Sequence, residues 1–414
     1  MKVSVIGLGY IGLPTAALIS SHNIQVHGVD VSDDVVKTIN KGTIHIIEPG
    51  LEELVKSSVE KGFLKASTHV EKADVFLIAV PTPFKDNHEP DLSFVKSAVL
   101  KIAPILESGN LVILESTSPV GTSEIIMKWM KEMRPDLNFP EINDNISCDL
   151  FIAYCPERVL PGNIIYELTE NNRIIGGLNL KSATKAQNFY NIFISGKCLI
   201  TNAKTAELTK LVENSYRDVG IAFANELSLI CDKLGINVWE LIDLANHHPR
   251  VDILKPGPGV GGHCIAVDPW FIVHSAPEDA KIVKLAREVN DEKPDFVVSK
   301  VYQAINEISQ DISKINITCF GLSFKPDIDD LRESPALYIA RKVSSMGFKK
   351  NFIVEPNIKE LPEMFGKSEL VDLHTGINSS DILLMLVDHS QFKDIDREIL
   401  SGKKVLDTRG IWID

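Results

Sequence analysis

No stretch of this 414-residue sequence is apolar for long enough to cross a bilayer; the longest candidate, Ile382 to Val387, has the length of a strand. The N-terminus carries no apolar h-region of the signal-peptide kind, because Met1 to Gly7 goes straight into a strand and a glycine turn. Paired cysteines are also missing. The six cysteines (Cys148, Cys155, Cys198, Cys231, Cys264 and Cys319) are scattered, and no two form CxxC. The expectation is a reduced, cytoplasmic protein without structural zinc or another bound metal. Positive charge is in deficit: 43 Lys and Arg stand against 56 Asp and Glu, a net charge of −13. That argues against non-specific binding to nucleic acid or to an acidic membrane. An anionic small ligand stays possible, since a site can gather local cations. No short-period repeat or low-complexity segment is evident.

What is present is alternation. Val3–Ile6, Gln25–Val29, Val75–Val80, Leu111–Glu115 and Leu150–Tyr154 read as strands. Residues 13–20, 33–41, 49–61, 92–106 and 123–133 read as helices. Strand and helix in turn imply a parallel sheet covered on both faces. A long helical stretch, residues 203–234, then suits a connector or a dimer-forming spine. Alternation resumes at Ile315–Phe320, with further strands at 352–354, 382–387 and 404–406. The expected fold class is α/β: two Rossmann-like, doubly wound parallel-sheet domains joined by a central helical region with a long connecting helix. The expected domains are residues 1–200 for a dinucleotide, 201–300 as a helical, dimerising region holding a cysteine loop, and 313–414 for a nucleotide substrate.

Gly7-Leu8-Gly9-Tyr10-Ile11-Gly12 matches GxGxxG, follows a strand, opens a helix, and is followed by Asp30 at the end of the second strand. In that context the glycines make the turn, admit a pyrophosphate and let the helix pack on the strand. Asp30 would accept the adenosine ribose hydroxyls, and its charge repels a 2′-phosphate. No arginine follows within residues 31–36, which favours NAD over NADP. Thr82, Ser116 and Thr117 follow two other strand ends, where open α/β sheets bind ligands. They serve equally well as plain turn residues.

Cys264 lies in the glycine-rich stretch of residues 256–269, just before Asp268-Pro269. That pair reads as a helix start, with Asp as cap and Pro first in the helix. A cysteine ahead of a helix N-terminus is favoured as a thiolate, and so as a nucleophile. Alone, it would read as a small buried apolar residue. Lys210 and Asn214 share one face of the long helix at i, i+4. Glu157 follows another strand end.

Together these residues resemble the nucleotide-sugar 6-dehydrogenases of the UDP-glucose/GDP-mannose dehydrogenase family, along essentially the whole chain. The resemblance rests on Gly7–Gly12, Val80–Pro83, Glu115–Thr122, Cys155–Arg158, Lys210 with Asn214, Gly261–Asp268, Gly321–Pro326 and Arg332–Pro335. It implies an NAD-dependent enzyme that oxidises the primary alcohol of a UDP-sugar to a carboxylate through a thiohemiacetal and a thioester on Cys264. By matching position, Lys210 and Asn214 stabilise oxyanions and help hold the thiolate. Asp268 assists base chemistry or orders a water. Glu157 acts as general base in thioester hydrolysis, with Thr117 holding water.

The resemblance assigns the cofactor to Gly7, Gly9, Tyr10, Ile11, Gly12, Asp30, Thr82, Ser116, Thr117 and Arg332. It assigns the substrate to Glu157, Arg158, Val159, Lys210, Asn214 and Gly261. Phosphate-binding cations would be Arg250, Lys255, Lys325 and Arg409, and similar enzymes take the residue matching Arg250 from a second subunit of a homodimer. The loop form Gly262-His263-Cys264-Ile265-Ala266-Val267-Asp268-Pro269 is most similar to the branch acting on UDP-N-acetyl-D-mannosamine, which supplies surface-polysaccharide synthesis. UDP-glucose dehydrogenases usually have a polar or basic residue where Pro269 stands. UDP-N-acetylglucosamine, UDP-glucose and GDP-mannose are the alternative substrates. A non-catalytic protein that binds NAD and a nucleotide sugar is the alternative of another class. Glu355-Pro356 stands where relatives often have Asp-Pro.

Overall fold

Eight strands build the first sheet: β1 (Lys2–Ile6), β2 (Gln25–Val29), β3 (Leu64–Ser67), β4 (Val75–Ile78), β5 (Leu111–Leu114), β6 (Phe151–Tyr154), β7 (Arg173–Gly177) and β8 (Cys198–Asn202). Their spatial order is β3-β2-β1-β4-β5-β6-β7-β8. A second sheet has β9 (Asn316–Phe320), β10 (Lys350–Val354), β11 (Glu369–Leu370), β12 (Ile382–Met385) and β13 (Lys404–Asp407), in the order β11-β10-β9-β12-β13. The five strands of the second sheet repeat the winding of the first five of the first sheet. In both, the order reverses beside the first strand, the switch point at whose carboxyl edge such sheets take ligands. This computed structural model describes residues 1–85, 88–140, 148–159, 162–262, 264–309 and 311–412. His263 of the cysteine loop lies outside the described residues.

The chain packs as two compact units. One comprises residues 1–213 with 274–276, and the other residues 214–273 with 277–414. Central strands β4, β5 and β12 are buried at every position. That is why they read as unbroken apolar runs instead of alternating ones. Apolar side chains line both faces of each sheet. The long helix Ala203–Leu234 has the bounds that the sequence implied. Near its start, Glu207 caps another helix. Its carboxylate accepts the Gly121 N–H at 2.6 Å and the Ser123 N–H at 2.8 Å, at the N-terminus of Thr122–Met133.

Three details depart from the sequence reading. β3, β7, β8 and β11 were not anticipated; β3 and β8 carry polar and exposed residues, and β11 has only two residues. The first sheet is not wholly parallel, because β7 runs antiparallel to β6, with Ala153 opposite Gly177 and Tyr154 opposite Gly176. Finally, Asp268 is the first residue of the helix Asp268–Ser275 and not its cap. The turn begins earlier, at Cys264, whose carbonyl accepts the N–H groups of Val267 and Asp268 at 3.1 and 2.9 Å. Among the described residues no helix is long and apolar enough to cross a membrane.

Candidate active site

The expected cofactor site begins where β1 ends. Gly7 has φ +91°, and a Cβ there would come 2.4 Å from the Ala79 carbonyl oxygen. A Cβ on Gly12 would come 1.8 Å from the Gly7 carbonyl oxygen, so the helix Gly12–Ser21 sits against its own entry turn. Gly9 differs: a Cβ there would meet no protein atom within 4 Å. Its open face is the space a pyrophosphate would take. The Ile11 side chain makes no cap bond to this helix; with the Leu13 N–H already on the Gly9 carbonyl at 3.1 Å and none on Pro14, its first turn offers an anion the Gly12 N–H. Asp30 closes the turn, accepting the Leu8 N–H at 3.0 Å and the Ser32 N–H at 2.9 Å. Tyr10 is exposed and Ile11 half-buried at the helix entrance. These features fit a bound dinucleotide.

The neighbouring strand ends are stitched together. Thr82 Oγ1 donates to the Thr117 carbonyl. Ser116 Oγ donates to the Val80 carbonyl at 2.7 Å. The Ser116 hydroxyl thus holds two strand ends in place, while Thr117 is half-buried beside them.

Beyond β6, Glu157 is buried and receives two donors at 2.6 Å: the Arg158 N–H on Oε1 and Arg173 Nη1 on Oε2. Arg158 itself pairs with Glu213 of the long helix at 2.6 Å, and Val159 is half-buried next to it. Beneath Glu157 lies Glu115, fully enclosed. Its Oε1 accepts the Tyr190 hydroxyl at 2.6 Å. Burial pushes its carboxyl up to about 7, against the pull of Arg173 and of the Tyr190 hydrogen bond. Burial likewise pushes the neighbouring Cys155 thiol up to about 12, so this second cysteine stays protonated. Lys210 is also buried, and among the described residues its ammonium makes no ion pair.

The cysteine loop is built in the other unit. Cys264 is exposed, whereas Cys155, Cys231 and Cys319 are buried. Asp268 is buried and accepts Asn214 Nδ2 at 2.5 Å. The loop's start is anchored by a buried polar chain. The Gly257 N–H donates to Asn225 Oδ1 at 2.9 Å, Asn225 to Asn290 at 2.8 Å, Asn290 to Asp218 at 2.8 Å, and Arg287 to Asp218 at 2.6 Å. Its far end rests on the C-terminal domain. A Cβ on Gly261 would come 2.4 Å from the Glu333 carbonyl oxygen and 2.9 Å from Phe324 Cβ.

The expected phosphate cations are mostly in water. Arg250, Lys255 and Lys325 are exposed. Arg409 is tied to Asp388 at 2.5 Å and lies against Gly257. Arg332 forms a two-point pair with Asp330 at 2.8 and 2.6 Å. In the second sheet Glu355, at the end of β10, accepts the Leu322 N–H at 2.7 Å, as Asp30 accepts Leu8. It also bonds His389 Nε2 at 3.0 Å and the Asn357 N–H at 3.1 Å. Burial opposes its charge, but His389 and these N–H groups hold its carboxyl below the usual range. Glu355 is therefore an internal brace of the turn.

Sequence reading passed over Arg173, Asn225 and Asn290. The available signal was a charged residue opening the apolar Arg173–Gly177 run and two amides on otherwise apolar helix faces. Among the described residues, no group of three or more His, Cys, Asp or Glu is placed to hold a metal.

The UDP-glucose/GDP-mannose dehydrogenase family matches this chain in three parts: its NAD binding domain over residues 1–194, its central domain over 204–292 and its UDP binding domain over 318–414. A UDP-N-acetyl-D-mannosamine dehydrogenase of Yersinia pestis is 55% identical, with 99% of each chain covered. An NDP-N-acetyl-D-galactosaminuronic acid dehydrogenase of Ralstonia nicotianae is 53% identical, with 99% of this chain and 96% of that one covered. Among solved structures, a UDP-D-ManNAc dehydrogenase from Pyrococcus horikoshii is 36% identical. It superposes with a TM-score of 0.88 over 99% of this chain and 96% of that one.

Proposed function

Because the chain belongs to the UDP-glucose/GDP-mannose dehydrogenase family, and so is an NAD-dependent nucleotide-sugar dehydrogenase, we propose that its substrate is UDP-N-acetyl-D-mannosamine and its product the corresponding uronate. The full-length identity to a relative of that name carries the choice of sugar. The reading extends to surface-polysaccharide synthesis, a cytoplasmic location and a homodimer. In the dimer, exposed Arg250 would reach the neighbouring subunit's substrate.

The chemistry is read from the residues. Gly7–Gly12 would hold NAD, and two NAD molecules in turn would supply the hydride acceptor, one for each oxidation. The alcohol loses a proton and a hydride and becomes an aldehyde. The Cys264 thiolate then adds to the aldehyde carbon, and the resulting oxyanion takes a proton to give a thiohemiacetal. Loss of the second hydride and a proton gives a thioester, which water cleaves to the acid and the thiol. Exposure of Cys264 supports this role, since a nucleophile must be reachable. The same carbon stays bound to sulfur between the oxidations, so the aldehyde does not escape.

Lys210 and Asn214 are read as donors to the oxyanions. Asp268, held by Asn214, is read as the proton acceptor or water-ordering group near the sulfur. Glu157 is read as the base for thioester hydrolysis, with Thr117 holding the water. Lys255, Lys325 and Arg409 are read as diphosphate partners. Arg332, paired with Asp330, is read as a cofactor contact. The exposed Cys264 and the Asn214–Asp268 bond disfavour a non-catalytic binding protein.

The Ralstonia relative, at nearly the same identity, supports an N-acetylgalactosamine sugar as the second reading. Parallel assays of NADH formation decide between them, using UDP-N-acetyl-D-mannosamine, UDP-N-acetylgalactosamine, UDP-N-acetylglucosamine, UDP-glucose and GDP-mannose. The first should give the highest kcat/KM. A higher value for any other sugar overturns the substrate assignment.

A further inference from the structure

The geometry points to Arg173 as the positioning residue of Glu157, the one that sets the carboxylate's orientation for the hydrolytic half of the reaction. This rests on the reading of Glu157 given above. The placement begins with topology. β7 runs against β6, so its first residue lies at the carboxyl edge of the sheet, where ligands bind. Ala153 faces Gly177 and Tyr154 faces Gly176. Carrying that register three residues past the end of β6 sets Arg173 opposite Glu157. A parallel β7 would begin at the other edge, far from the loop.

The side chains complete the case. Arg173 and Glu157 are 4% and 7% exposed, and Nη1 meets Oε2 at 2.6 Å. With Oε1 taken by the Arg158 N–H, the carboxylate is held at both oxygens and cannot rotate without breaking a charge-assisted bond. The guanidinium lies over the Tyr190 ring, 5.7 Å from its centroid. Among the described residues its Nε has no hydrogen-bond partner. A second acid, Glu115, is close by, but it is bonded to Tyr190, and its Oε2 has no partner among the described residues. Burial keeps Glu115 largely protonated below about pH 7, which leaves the arginine's charge to Glu157.

The test compares Arg173→Gln, Arg173→Lys, Glu157→Gln and the double variant Arg173→Gln/Glu157→Gln, assayed with UDP-N-acetyl-D-mannosamine and NAD. If Arg173 acts through Glu157, the Gln variants each lower kcat by about 10-fold or more, and KM for the sugar falls with it, because only the hydrolysis after acylation is slowed. The double variant is then no slower than Glu157→Gln. Arg173→Gln and Glu157→Gln also accumulate a substrate-sized acyl adduct on Cys264 in intact-protein mass spectra, a signature that mere destabilisation would not give. Arg173→Lys keeps the charge and recovers part of the rate. Should Arg173→Gln fail to fold, Arg173→Lys and the double variant, which leaves no uncompensated charge at this pair, carry the same comparison.

Losses that multiply in the double variant overturn the inference. So does an Arg173→Gln enzyme that turns over within about 2-fold of wild type while Glu157→Gln is slow. A Glu157→Gln enzyme of wild-type rate overturns the reading of Glu157 itself, and the inference with it.

Discussion

Asn214 Nδ2 meets Asp268 Oδ2 at 2.5 Å, joining the long helix to the first residue of the helix that follows the Cys264 turn. Asp268 is buried, so this donor helps satisfy a carboxylate that water barely reaches. Asn214→Ala removes it. Turnover should fall by about 100-fold, as for loss of an oxyanion donor, while NAD affinity stays the same. Steady-state kinetics with NAD titration by fluorescence quenching checks this. Unchanged kcat would remove Asn214 from the chemistry.

Glu115 predicts a pH dependence of stability. Its carboxyl lies near 7 in the folded protein against about 4.5 unfolded, so the folded state binds the extra proton between those values. Its contribution is therefore complete below about pH 4.5 and is lost as pH rises through about 7. The difference amounts to about 3 kcal/mol at full ionisation. The groups facing it are the Tyr190 hydroxyl, Arg173, Glu157 and the Cys155 thiol. Glu115→Gln should flatten that slope, raising stability relative to wild type at pH 8.5 more than at pH 5.5. Urea melts at both values test it.

Asp30 accepts the Leu8 N–H, so its carboxylate holds the glycine turn as well as facing the expected ribose. Asp30→Ala should weaken NAD binding by about 10-fold or more, from the loss of charge-assisted hydrogen bonds. The affinity for UDP should be unchanged. Isothermal titration with each ligand separates the two effects.

Gly261→Ala tests the seating of the cysteine loop. The new methyl group would lie 2.4 Å from the Glu333 carbonyl oxygen, and backbone cannot yield as a flexible side chain does. The loop should shift, lowering kcat by about 10-fold or more, since misplacement of reacting groups is costly. NAD affinity should not change. Alkylation of Cys264 by iodoacetamide should change in rate, which places the effect at the sulfur.

Much of this arrangement was legible because it depends on local patterns. Gly7–Gly12 with Asp30, the buried runs of β4, β5 and β12, and the long helix all follow from short-range spacing. Cys264 and Asp268 were visible as a motif, but the helix start shifted because the turn begins at the Cys264 carbonyl. What escaped the sequence depends on register and burial. Arg173 is one charged residue in a short strand whose antiparallel direction no pattern announced. Glu355 was visible only as a departure from the Asp-Pro of relatives; its contacts with Leu322, Asn357 and His389 show that its carboxylate is used within the fold. Likewise, nothing local tells an exposed amide from Asn225, which holds the Gly257 N–H.

Counting hydrides against sulfur tests the account most directly. Wild-type enzyme given limiting UDP-N-acetyl-D-mannosamine should form two NADH and one carboxylate per sugar. Cys264→Ala should bind the same sugar with unchanged affinity and release no acid. One NADH per sugar, or acid formation at the wild-type rate by Cys264→Ala, would contradict it.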